Sequence, residues 1–461
     1  MPLGYHARKL KLVLYTPVAS VEETISDGGL SMKQAAGWAH TFFERRLSRP
    51  YVQFICLLVL AVYLVVLVIS FATSASGRTI FGPYLGADFA AYYVAGKIYN
   101  TRSPDQIYDA PLQHRLRREE FPDLPSDSQL PYVNAPFFVL PFAALARLPY
   151  AWAFFLWILL SLALYAWGFS LLRKTLKGIP SGAWLVSFLL SLSFMPFLVE
   201  CLAGGQTSAV GFFCLALALS SERRGHYFLC GLALSLCTYK PTLLLLAVPM
   251  LVITRRYKTL MGFIAGCGIL ALVSLLLVGR NGCVGYINTL LYFTDASTSA
   301  ETGLRSWKYV DVNSFFRLLL GHYPLLRWVL TAATFLFVLP FISRVWWVSD
   351  LKLRDEQGLL WAMTLAWTVV LNLYVGIYDS TLIVLSVLLT ADVLYREAVK
   401  GQLALPSAFK MTLILLYVIP WITQPIARLT GFQLYTPVLA LLGGYQLIHL
   451  QRLVRNRTPL D

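Results

Sequence analysis

"YVQFICLLVLAVYLVVLVISFA", residues 51–72, is an apolar run interrupted by Gln53 and Ser70 and without a single charge. At 1.5 Å of rise per residue, a helix of this length crosses the ~30 Å hydrocarbon core of a bilayer and satisfies its own backbone there. The run begins too late and extends too far for the apolar part of a cleaved leader, although "FATSASG" (71–77) beside it has the small residues of a cleavage site. We read it as an uncleaved helix. The rest of the chain has the same texture: 57% of the 461 residues are hydrophobic, 13% are charged and the mean hydropathy is +0.64. Soluble domains carry about 25% charged residues. The expected fold class is therefore all-α, a polytopic membrane protein.

A formal net charge of +15 raises the question of nucleic acid. The cations instead lie in short clusters between apolar runs: "RKTLK" (173–177), "ERRG" (222–225), "RRYK" (255–258), "REAVK" (396–400) and "RLVRNR" (452–457). That pattern sets membrane orientation and suits anionic lipid headgroups, so nucleic acid is excluded as a partner. Placing every cluster inside predicts about twelve helices, over 51–72, 150–172, 184–200, 206–221, 226–239, 241–254, 259–278, 324–347, 358–377, 380–394, 409–427 and 432–450. Both termini are then cytoplasmic, in a multi-pass protein of the cell membrane. Several segments are short enough that they must bend or break within the bilayer. The proline-rich stretch 131–150 is expected to be re-entrant or interfacial, because a full crossing would move "RKTLK" outside. Residues 1–50 form a cytoplasmic arm in which 32–47 can lie in the interface as an amphipathic helix. Residues 51–461 form the membrane domain, with two long outer loops, 73–130 and 279–323. The seven cysteines fall mostly inside apolar runs with no metal-ligand spacing and read as packing residues.

Polar groups on the outer side then need explanation. "GADFAAYYVAGKIYN" (86–100) carries one acid, Asp88, at the start of a helix expected to lie along the membrane surface. An ionised carboxylate there suits a general base for a hydroxyl; the other open reading is a plain N-cap. Tyr92 and Tyr93 offer rings and hydroxyls to a sugar or acceptor. "ECLAGGQTSAVGF" (200–212) puts Glu200 and Gln206 around a glycine pair, where polar groups in a membrane are functional by default or bond between helices. Lys240, before a proline in a long apolar stretch, is placed to bind a phosphate at headgroup level or to snorkel to lipid phosphates. The second outer loop adds Arg305 and Lys308 as phosphate cations, and Trp307, Asn313 and His322 as sugar or acceptor contacts. Asp379, between Tyr378 and Ser380, completes the set. No His, Cys, Asp or Glu cluster asks for a metal and no nucleotide loop is visible, so the expected chemistry uses neither metal nor cofactor.

Four motifs in order, "DFAAYYVAG", "NAPFFVLPFAALARLP", "ECLAGGQT" and "GLALSLCTYKPTLLLLAVPMLV", resemble glycosyltransferase family 87. The similarity runs from about residue 50 to about residue 395. The resemblance implies a GT-C-like fold and a polyprenyl-phosphate sugar donor, mannose being the leading sugar. It also implies a lipid or glycan acceptor reached from the non-cytoplasmic face. In it, Asp88 matches the family's outer-loop acid, Gly205 and Gln206 its Gly-Gln pair, and Lys240 its Lys-Pro; Asn313 and Ser314 match more loosely. The chain departs from the pattern at Asn134-Ala135-Pro136, where Tyr-Pro-Pro is usual, and at "YDSTLI" (378–383), which lacks a histidine. Two rivals remain open: a flippase or transporter of lipid-linked sugars, and a glycan polymerase or ligase. Transporters place polar groups at the bilayer midplane in repeated halves. Here the polar groups gather at one face.

Overall fold

The computed structural model describes residues 48–73, 79–80, 84–122, 131–298, 306–350, 352–401 and 405–457. The chain forms two units, Met1–Phe54 and Ile55–Asp461. The interfacial helix expected over 32–47 and the candidate Arg305 lie outside the described residues. The helices are α1 (Arg49–Thr73), α2 (Phe89–Thr101), α3 (Ala110–Glu120), α4 (Val139–Leu145), α5 (Tyr150–Thr175), α6 (Ser181–Leu192), a π-helix (Pro196–Ala203), α7 (Ser208–Arg223) and α8 (Tyr227–Leu236). They continue as α9 (Ala247–Ile253), α10 (Tyr257–Thr298), α11 (Val312–Leu319), α12 (Pro324–Val348), α13 (Arg354–Val370), α14 (Ile383–Gly401), α15 (Ser407–Thr430) and α16 (Tyr435–Arg457). No sheet occurs among the described residues, so the protein is all-α.

Each of the twelve expected segments is helical over most of its length. Among the described residues, six helices are long and apolar enough to cross a membrane, or seven when α6 and the π-helix, bent by 54°, count as one broken span. The shorter segments break where the sequence forces it. Two short apolar helices meet at Lys240, because Pro241 cannot donate to the preceding turn. The helix expected over 358–377 stops at Val370, and Asn372 turns its amide back onto the carbonyls of Thr368 (2.8 Å) and Thr242 (2.9 Å). Pro136–Leu145 is a short apolar helix of about 15 Å at 1.5 Å per residue, half the hydrocarbon thickness.

Burial sorts the helices. On α1, Leu57, Leu58, Val62, Leu64, Val65 and Val68 are exposed, the surface expected of a lipid-facing span. On α13 every residue from Glu356 to Val370 is buried, so this helix is the centre of the bundle. Small hydroxyls and amides tie the surrounding helices to one another and to it, Ser386 Oγ on α14 donating to the Ala362 carbonyl at 2.7 Å. Gln446 Nε2 on α16 donates to Ser386 Oγ (2.7 Å) and Thr390 Oγ1 (2.9 Å) on α14, and Trp346 Nε1 on α12 donates to Thr364 Oγ1 (3.0 Å). Such bonds hold helices together where lipid offers no hydrophobic incentive to associate.

The basic clusters meet one another. Arg256 pairs with Glu222 and lies over the Trp361 ring, whose Nε1 donates to Glu222 Oε2 at 2.5 Å. Arg396 bridges Asp355 and Asp392, both at 2.8 Å, and Arg457 reaches Glu356 at 3.1 Å. Gly178, just past "RKTLK", donates its N–H to Asp392 Oδ1 at 2.6 Å. These pairs close at the C-terminal end of α7, some 24 Å along that helix from the glycine pair.

The segments expected as long loops are largely folded. α2 does not lie on a surface: Phe89 to Gly96 and Ile98 are all buried. With one charge in thirteen residues it has no polar face to leave in water, so it packs into the core on all sides. In the second segment, α10 does not end near 278. Gly279 breaks it with φ 66° and ψ −178°, and the helix then resumes to Thr298.

Candidate active site

Asp88 occupies the N-cap position of α2 but makes no capping bond. The backbone N–H groups of Asp88 and Phe89 both donate to the Gly204 carbonyl, at 3.1 and 3.3 Å, which anchors the start of α2 on the turn after the π-helix. The Asp88 side chain is thereby turned to Gln206, whose Nε2 donates to Asp88 Oδ2 at 2.7 Å. The Gln206 carbonyl in turn accepts the Tyr92 hydroxyl at 3.1 Å. The Tyr92 ring stacks on Phe142 with centroids 4.8 Å apart. Tyr93 faces away, its hydroxyl on the Leu148 carbonyl at 2.9 Å. Arg117 on α3 feels Asp88 from the other side: burial pushes its guanidinium down to about 10, with Asp88 and then Tyr150 opposing.

Gly205 makes this turn possible. Its φ is +81°, and a Cβ there would fall 2.5 Å from the Cβ of fully buried Phe89. Left-handed backbone in a non-glycine residue costs about 1 kcal/mol and core overlap another 1–3 kcal/mol. Gly205→Ala is therefore expected to lower stability by about 3 kcal/mol and to misplace Asp88. Thermal unfolding in detergent reads the first effect; an unchanged midpoint would mean that the turn tolerates a side chain.

Lys240 and Asp379 form the second half of the site. Lys240 Nζ lies 2.5 Å from Asp379 Oδ2 and 4.4 Å from the centroid of the Tyr378 ring. Lys240 is thus not the lone cation expected from the sequence, because a carboxylate only 2% exposed requires a counter-ion. The two halves are wired together. Tyr239, next to Lys240, donates its hydroxyl at 3.1 Å to the carbonyl of Thr207, next to Gln206. The Tyr239 carbonyl accepts Asn134 Nδ2 and Ala135 N, both at 3.3 Å, and its ring stacks on Phe138 at 4.3 Å. The proline-rich stretch is therefore the floor under this turn. Tyr92, Tyr309 and Tyr378 each lie within electrostatic reach of both Asp88 and Asp379.

The segment after residue 305 clamps onto the turn that carries Asp379. Tyr309 and Gly376 form an antiparallel bridge, and Val310 N donates to the Val375 carbonyl at 2.9 Å. Asp311 caps α11, accepting Ser314 N (2.9 Å) and Ser314 Oγ (2.8 Å), and it also accepts Val375 N (2.8 Å). Burial pushes the Asp311 carboxyl up to about 6 even though these donors pull the other way. Asn313, fully buried one turn-position later, has neither amide atom hydrogen-bonded.

Four candidates fall elsewhere. Glu200 on the π-helix accepts Gln424 Nε2 at 2.7 Å and lies 3.9 Å from Lys308, whose ammonium is 5.7 Å from the Trp307 ring. Lys308 and Trp307 thus gather around Glu200 rather than beside Lys240. His322 is exposed between α11 and α12. Sequence reasoning missed Asp311, Tyr309, Arg117 and Gln424. Only Asp311 had a legible signal, as an acid three residues before Ser314 at a helix start.

Helices of membrane length with ionised side chains gathered between them define an integral membrane protein built around a polar site. The model of glycosyltransferase family 87 matches residues 132–375, just over half of the chain. The chain belongs to that family and is a glycosyltransferase. No curated protein and no solved structure matches it. The matched stretch contains Gln206 and Lys240, while Asp88 and Asp379 lie outside it and are joined to it by the bonds to those two side chains.

Proposed function

We propose that the protein moves a sugar, mannose first among the candidates, from a polyprenyl-phosphate carrier to a hydroxyl of a lipid or glycan acceptor. The transfer takes place on the non-cytoplasmic face of the cell membrane and inverts the anomeric centre. Asp88 takes the proton of the acceptor hydroxyl as its oxygen forms the new bond to the anomeric carbon. The bond from that carbon to the phosphate oxygen breaks on the opposite side, and the carrier leaves as polyprenyl phosphate. Lys240 has three N–H donors, of which Asp379 takes one, leaving two for the phosphate.

The observation that carries this reading is the wiring of base to cation. Asp88 bonds Gln206, and Thr207 beside it accepts Tyr239, the neighbour of Lys240. A general base and a phosphate cation on one rigid support suit a single displacement. Purified protein given one polyprenyl-phosphate sugar at a time should yield, with one of them, an acceptor heavier by one sugar and of inverted configuration. Transfer from a nucleotide sugar alone would overturn the reading. Carrier movement across vesicles without a covalent product would do so in favour of a flippase.

A further inference from the structure

We infer that Gln206 is the positioning residue of Asp88, held in one orientation by Tyr92, rather than a contact for the sugar or acceptor. The inference rests on the proposed role of Asp88 as base. An amide has two faces that differ only by which atom is N and which is O, so its neighbours decide its orientation. An ionised carboxylate accepts only, so the NH2 of Gln206 must face Asp88, as the 2.7 Å bond has it. The carbonyl end then needs a donor, and the Tyr92 hydroxyl supplies it at 3.1 Å. Tyr92 is a permanent donor: burial first, and the Asp88 charge second, hold its phenol well above its ordinary range. Its ring is fixed between Phe142 (4.8 Å) and Tyr132 (6.2 Å), so the hydroxyl cannot swing away.

Gln206 itself is 3% exposed and follows the left-handed Gly205, which leaves its side chain little freedom. The result is a carboxylate with one oxygen committed. Oδ2 is tied to the amide, and among the described residues nothing donates to Oδ1. That oxygen is the one free to receive a proton, and the hydroxyl that approaches it meets a base already aimed. A side chain buried this deeply, with its amide held at one end by Asp88 and at the other by Tyr92, is turned to those partners and not to a sugar in the cavity.

The test uses Gln206→Met, which keeps the unbranched shape and removes the amide, Tyr92→Phe, which keeps the ring stack and removes only the hydroxyl, and their combination. Gln206→Met should lower kcat about 10²-fold while the KM values for donor and acceptor stay within about twofold, since a base misplaced by an ångström loses about that much. Tyr92→Phe should lower kcat about tenfold, and the double variant should be no slower than Gln206→Met alone, because both changes act through one chain of bonds. A rise in acceptor or donor KM at unchanged kcat, or additive losses in the double variant, would overturn the inference. If Gln206→Met does not fold, as judged by thermal unfolding in detergent, Tyr92→Phe decides through its kcat and KM. Asp88→Asn run alongside separates the failures. An active Asp88→Asn removes the base reading itself, whereas an inactive Asp88→Asn beside a wild-type Gln206→Met removes only the role of Gln206.

Discussion

Asp88→Asn is expected to lower the rate of sugar transfer about 10³-fold while leaving the protein as stable as the wild type. The size follows from the role: a positioned general base contributes about 10²–10⁴ in rate, and an amide cannot take up the proton. The unchanged stability follows from the geometry. Asp88 makes no capping bond, so α2 loses no end support when the charge goes. The two N–H bonds to the Gly204 carbonyl come from the backbone and survive the substitution. An asparagine carbonyl can still accept Gln206 Nε2, so the turn keeps its shape. The measurement is kcat, donor KM and the unfolding midpoint in detergent, taken on the same preparation. Activity within tenfold of wild type would remove Asp88 from the chemistry. A large fall in midpoint would mean that the carboxylate is a structural member after all.

What the sequence revealed follows a physical pattern. An uncharged run such as 51–72 can be read alone, because the bilayer imposes its rule on every residue of it. The basic clusters were legible as charges between apolar runs, and ion pairs join Arg256 to Glu222 and Arg396 to Asp355 and Asp392. Asp88, Gln206 and Lys240 stood out because each is a polar side chain in apolar surroundings. Their partners did not. Lys240 and Asp379 are 139 positions apart, and nothing local to "TYKP" announces a carboxylate from "IYDS". The burial of α2 was misread because aromatic and small residues at helical spacing suit a membrane surface as well as a protein interior. What decided between them was packing: Phe89 meets Phe154 at 5.4 Å, Tyr150 at 5.7 Å and Trp157 at 6.1 Å, all from one distant helix, α5. His322 stood out by residue type alone, and type without surroundings is weak ground for a role.

Lys240→Ala is expected to do two separable kinds of damage. The first is to the fold. Asp379 is 2% exposed and would be left as a buried carboxylate without its cation, which typically costs about 3–5 kcal/mol. The second is to binding, since the two N–H groups not used by Asp379 are those proposed to hold the carrier phosphate. A single substitution confounds the two. Replacing both partners, Lys240→Met with Asp379→Asn, removes the ion pair in a charge-neutral way and should recover most of the lost stability. Donor affinity should remain weakened at least tenfold, because no cation faces the phosphate. Asp379→Asn alone points the other way: Lys240 is 20% exposed, keeps water as a partner, and gains a free donor for the phosphate. That variant should be only mildly destabilised and bind donor at least as tightly as the wild type. Unfolding midpoints and donor dissociation constants for the three variants check the argument together. A double variant that binds donor like the wild type would mean that Lys240 serves only to neutralise Asp379, and the phosphate site would then have to be sought beside Lys308 and Glu200.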